Sequence, residues 1–218
     1  MYNFERKIET IPFNNALIFL KNFIVVTISL KDEKILIMES SLLKPLFYRN
    51  LNAQLLASGV GVNWAIKAQK LLLEDWGVAA DIWSVTSWNE LRRDGLEVDR
   101  HNMMNPESPR TAYITTKLAG SVGPVIAVSD FMRAVQDQVA PWVANPFTSL
   151  GTDGFGLSDT RGALRRHFRV DAESIVVATL ASLVREGKVQ VATLRAALDK
   201  YALHDIMAAD PGNTEGSG

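Results

Sequence analysis

The chain has 218 residues, of which 47% are apolar and 22% charged, with a mean hydropathy of +0.04, the profile of a globular protein with one main core and an appendage. Its 23 basic and 24 acidic side chains nearly cancel, and no Lys/Arg block tracks a phosphate backbone, so nucleic acid is not an expected partner. Cysteine is absent, which excludes disulfides, thiolate catalysis, iron-sulfur ligation and cysteine-based zinc sites.

Residues 1–50 hold none of the 14 glycines and none of the five tryptophans of the chain, but seven isoleucines and five asparagines. A break this sharp reads as a fusion, a misjudged gene start or a truncated insertion, and residues 1–50 are expected to be an atypical, irregular extension. The apolar stretch 16–30 is interrupted by Lys21 and Asn22, whereas a bilayer span needs roughly 20 apolar residues. Acidic Glu5 and Glu9 precede it and no small-residue cleavage site follows, so neither membrane nor secretion is expected, and the cytoplasm is the default. Within the segment, residues 23–30 and 35–38 are β-branched and apolar around the polar connector 31–34, which predicts a hairpin.

From residue 53 a regular alternation sets in. A short strand at 54–57 and the turn Ser58-Gly59-Val60-Gly61 lead into a helix carrying Val62, Ala65, Ile66, Leu72, Leu73 and Trp76, closed by Gly77 as a left-handed cap. A second strand at 82–85 precedes Ser87, a helix cap with Glu90 as its capping-box partner. A third, at 124–128, ends at Ser129 and Asp130, the latter placed to cap a helix with Phe131, Val135, Val139 and Trp142. A fourth, at 147–150, runs into the glycine-rich segment 151–156. Helices at 160–168, 172–186 and 189–201 finish the fold, the second capped by Asp171 and stopped by Gly187. This pattern predicts an α/β domain over 51–210, a mostly parallel sheet flanked by helices on both faces. Residues 211–218 are expected to be a disordered tail.

Tests for chemistry are mostly negative. Gly59-Val60-Gly61-Val62-Asn63-Trp64 places a tryptophan where a dinucleotide site needs its third glycine, and no acidic residue ends the second strand. No GxSxG elbow occurs. His101, His167 and His204 lack metal-ligand spacing, Glu74 and Asp75 read as a solvated helix end, and no metal site is predicted. One segment remains: Gly151, Thr152, Asp153, Gly154, Phe155, Gly156, Ser158, Asp159 and Arg161 could present backbone N–H groups to an anion, although no Lys follows as a P-loop requires. The structural alternative is a turn at Asp153-Gly154 that buries Phe155 in the core or a subunit interface, with Asp159 capping the next helix. Trp64, Trp88 and Trp142 are interface candidates, and Trp76 and Trp83 core candidates.

The series Ala57-Ser58-Gly59, Ser84-Val85-Thr86-Ser87, Glu90-Leu91, Arg93-Asp94-Gly95, Pro109-Arg110, and GTDGFG at 151–156 with Ser158-Asp159-Thr160-Arg161 resembles the C-terminal domain of the homodimeric pyruvate dehydrogenase E1 family, a transketolase-like group. His167-Phe168 and Asp171-Ala172-Glu173-Ser174 extend the match, which covers 51–218. The resemblance implies a full-length homodimer in which thiamine diphosphate and Mg²⁺ lie between two preceding domains. There the cofactor decarboxylates pyruvate, and the acetyl group passes to the lipoyl arm of an E2 partner. None of the family's catalytic or cofactor-binding residues maps onto this sequence, so no cofactor is expected in this chain. The expectation is a structural or dimerisation domain without catalysis; an anion-binding regulatory module and a nonfunctional remnant are the alternatives.

Overall fold

The computed structural model describes residues 24–30, 33–40 and 51–208, the first two stretches as backbone. The expected tail at 211–218 lies outside the described residues. Elements are numbered in chain order. Four strands, β3 (Asn52–Ala57), β4 (Ala79–Val85), β5 (Val125–Val128) and β6 (Phe147–Leu150), pair in parallel in the order β4-β3-β5-β6. The hairpin expected near residues 23–38 is present as β1 (Ile24–Leu30) and β2 (Glu33–Ser40), and β2 joins β4 antiparallel.

The helices are α1 (Gly61–Trp76), α2 (Trp88–Met104), α3 (Tyr113–Lys117), α4 (Arg133–Asp137), α5 (Arg161–His167), α6 (Ala172–Arg185) and α7 (Val191–Tyr201). They form because local signals agree with the fold. Gly77 ends α1 at φ +64, Ser87 Oγ accepts from Glu90 N, and Asp171 Oδ1 accepts from Ser174 N, each satisfying backbone groups that a helix end leaves open.

Alternating side chains send two cores to opposite faces of the sheet. Leu55, Ile82 and Ile126 pack with Ala65, Ala68 and Leu72 of α1 and with Ile175, Leu180 and Leu183 of α6. Their neighbours Leu56, Trp83, Val125 and Ala127 pack with Trp88 and Leu91 of α2, Ile114 and Val139. Both faces are therefore covered, as a parallel sheet requires.

The helix after β5 differs from expectation. Asp130 does not cap a helix: α4 begins at Arg133, whose N–H donates to Asp153 Oδ1 at 2.9 Å across 20 residues of chain. The single helix expected over 131–142 is split, because Pro141 enters a separate 3-10 turn at Ala140–Trp142 and brings no N–H of its own.

Candidate functional site at the carboxyl end of the sheet

β3 leads by α1 to β4 on one side, whereas the chain later returns to place β5 on the other. The strand order therefore reverses between β3 and β5, the place where open α/β sheets hold ligands, just outside the carboxyl ends of the strands. Three loops meet there: 58–60 after β3, 129–132 after β5 and 151–160 after β6.

The reversal point is closed by its own residues. Ser58 N donates to Val128 O, and Ser58 Oγ accepts from Trp88 Nε1 at 2.9 Å. Gly59 adopts φ +55, and a Cβ there would stand 3.3 Å from Asp130 Oδ1. The first turn of α1 satisfies itself, since Gly61, Val62 and Asn63 donate to the carbonyls of Ser58, Gly59 and Val60. A phosphate approaching this helix end would meet the Asp130 carboxylate.

The glycine-rich loop has a fixed root and a free tip. Gly151 is pressed against the chain, so that a Cβ there would lie 2.5 Å from Phe131 O. Thr152 donates twice, through N to Phe131 O at 2.9 Å and through Oγ1 to Asp130 O at 2.7 Å. Asp153 accepts from Arg133 N. Beyond it, Gly154 turns at φ +98 with open space around it, as around Gly156. Phe155 is 95% exposed, so it does not enter the core. Ser158 and Asp159 are exposed as well. Thr160, not Asp159, caps α5, its Oγ1 accepting from Ala163 N at 3.3 Å; Asp159 Oδ1 accepts from Thr160 N instead. Arg161 opens α5, exposed.

Sequence reasoning missed the apolar character of the whole end. Phe131 and Met132 are each 56% exposed, and Val60 and Leu157 are more than half exposed. Their grouping depends on three loops separated by dozens of residues, which hydrophobic periodicity cannot register. The tryptophans also sort differently. Trp88 is a core residue, 3% exposed, while Trp64 lies half-buried beneath Arg165, whose guanidinium stands 4.5 Å from the ring centroid. Trp142 packs across α2 and donates to Asp99 Oδ2.

Two titration shifts lie elsewhere, between α1 and α7. The Lys200 ammonium, 2.7 Å from Asp75 Oδ1, holds that carboxyl below its ordinary range, helped by the Tyr201 hydroxyl, which donates to Oδ2. Burial pushes the Tyr201 phenol well above its usual value, and the Asp75 charge adds to this. The hydroxyl also accepts from Trp76 Nε1 at 2.9 Å. This chain of bonds ties helix ends together.

Magnesium diphosphate needs converging oxygen ligands for the cation and N–H or cationic donors for the phosphates. No group of three or more His, Cys, Asp or Glu side chains among the described residues is placed to hold a metal ion. At the carboxyl end, Asp153 is engaged by Arg133 N and Asp130 lies over Gly59. The described residues do not fit thiamine diphosphate with Mg²⁺. No helix among them is long and apolar enough to cross a membrane.

The parallel sheet, its two helical layers and its loop-built carboxyl end are those of a transketolase-like C-terminal domain, and residues 43–171 match the family described as transketolase-like TK C-terminal domain, to which the chain belongs. Within that class it is similar to the pyruvate dehydrogenase E1 component of Mycolicibacterium smegmatis, 51% identical over 162 residues that make up 74% of this chain and 17% of that protein. The Mycobacterium tuberculosis pyruvate dehydrogenase E1 component is 48% identical over 168 residues, 77% of this chain and 18% of that one. A transketolase from Campylobacter jejuni overlays 66% of this chain and 18% of its own length at 17% identity and a TM-score of 0.43. The chain thus spans less than a fifth of the length of the curated relatives it matches.

Proposed function

We propose that this chain acts as the C-terminal domain of a pyruvate dehydrogenase E1-type assembly, a packing and dimerisation element that carries no catalytic group of its own. The observation behind this reading is the pairing of 51% identity confined to 17% of a longer relative with a carboxyl end at which Ser58, Thr152 and Asp153 are engaged by hydrogen bonds within the domain. In that assembly thiamine diphosphate would act as electron sink for pyruvate decarboxylation, and the acetyl group would pass to the lipoyl arm of E2. This chain would contribute support and position. Its loop at 151–160 is built for contact with protein: a root pinned by hydrogen bonds and a tip that is apolar. Mixed charges around it, Asp153 and Asp159 against Arg133 and Arg161, do not favour a bound anion over a protein surface.

The test is pyruvate-dependent ferricyanide reduction by the purified chain with thiamine diphosphate and Mg²⁺. The expected rate equals that of buffer. Turnover above this background would show that the chain holds a catalytic site and would overturn the reading.

A further inference from the structure

Exposed apolar side chains at the carboxyl end come from three successive loops: Val60 after β3, Phe131 and Met132 after β5, Phe155 and Leu157 after β6. The loops adjoin, since Asp130 lies over Gly59, Thr152 bonds to Phe131 O and Asp153 bonds to Arg133 N. Large exposed apolar groups gathered in one place mark an interaction surface.

The root of the third loop adds a reason to single out Phe155. With Thr152 and Asp153 fixed by three hydrogen bonds, its ring is carried on a short tether from a rigid base, which lowers the ordering cost of binding. A projecting ring needs a receptacle. Two hollows on the described surface, one lined by Leu56, Trp83, Leu91 and Ile114 and another by Trp64, Arg165 and Glu173, are about the size of one water molecule. Neither of these two takes a phenyl ring. The relatives supply an occupant, because more than four fifths of their length lies outside the matched region.

We propose that the apolar rim at the carboxyl end of the sheet, with Phe155 as its anchor, is the surface on which this domain seats against the portion of an E1-type subunit outside the matched region. The inference rests on the proposed function and names the face that performs it. The partner surface is apolar and concave, with room for one aromatic ring.

The experiment co-expresses the full chain with the tagged portion of the Mycolicibacterium smegmatis E1 component that lies outside the match, and measures how much chain is retained on the tag. The wild-type chain is expected to be retained. Phe155→Asp and Phe131→Asp are expected to reduce retention roughly tenfold or more, the loss typical of a central contact. Met103→Asp, on an exposed side chain near the far end of the 17-residue helix α2, keeps full retention. Thermal melts identical to wild type establish that the variants fold. Retention of Phe155→Asp at the wild-type level overturns the rim and leaves the proposed function standing. Loss of the wild-type chain itself, while the relative's own C-terminal region supplied in trans is retained, overturns the proposed function. Self-association of the chain alone that Phe155→Asp abolishes gives the rim to a second copy and overturns the occupant named here.

Discussion

Gly95 lies against the indole of Trp142, so closely that a Cβ on residue 95 would stand 2.4 Å from Cδ2 and Cε2 of the ring. Ordinarily, alanine in place of glycine inside a helix stabilises by about 1 kcal/mol. Here the sign reverses, because the added methyl must displace a ring anchored by its own bond to Asp99, and overpacking of this kind costs roughly 1–3 kcal/mol. Urea unfolding of Gly95→Ala is expected to show a lower midpoint. In the Trp142→Ala background the same change should become neutral or stabilising; additive effects would show that the two residues are not coupled.

A buried polar triad spans β3 and β4. Gln54, 1% exposed, donates to Asp81 Oδ2 and Val122 O and accepts from Trp83 Nε1 at 2.8 Å. Gln54→Leu keeps the volume but removes the acceptor of a buried indole N–H, a loss of about 1–3 kcal/mol. The expected result is a clear drop in melting temperature, with tryptophan fluorescence altered around Trp83. An unchanged melt would mean that water replaces the amide.

Stability is expected to decline at both pH extremes through one cluster. Asp75 has its folded pKa below the unfolded 3.8, so the stability it contributes is present above that value and lost as pH falls through the folded pKa. Tyr201 has its folded pKa above the unfolded 10.0, so its contribution is present below pH 10.0 and lost as pH rises beyond it. Asp75→Asn should therefore melt below wild type at neutral pH and converge with it in acid. Tyr201→Phe should lose the alkaline decline that wild type shows. Parallel pH profiles for variant and wild type would refute the assignment.

Local chemistry made much of the fold legible. Ser87, Asp171, Gly77 and Gly187 act within a few residues of themselves, and α6 and α7 run nearly as their periodicity predicts. Elements whose cause is distant were misplaced. β4 starts at Ala79, three residues before its apolar signal, because Ala79, Ala80 and Asp81 pair with Asn52, Ala53 and Gln54, and the Gln54 amide satisfies a carboxylate that no isolated strand would bury. Trp88, an interface candidate by sequence, is instead buried, and Ser58, 30 residues away, gives its N–H an acceptor. The GTDGFG segment was recognisable as a feature, yet its roles divide between a root that caps α4 and a tip that faces outward, a division set by tertiary contact with Arg133 and Phe131.

The root and the tip of that loop should respond differently to substitution. Asp153→Ala removes the acceptor of Arg133 N at the start of α4, and loss of a helix cap costs about 1 kcal/mol. Because the affected bonds lie at an exposed end of the sheet, the change should act as local opening. Amide exchange across residues 151–160 and at Arg133 is expected to accelerate severalfold while the strands β3 and β5 keep their protection. Phe155→Ala removes a side chain that touches little of its own domain, and should leave both exchange and melting temperature where they were. Asp153→Asn, which preserves an oxygen acceptor at the same place, should restore most of the protection. Exchange by mass spectrometry on the three variants distinguishes a pinned loop from one that is mobile throughout: in the latter case Asp153→Ala would make no difference to its rates.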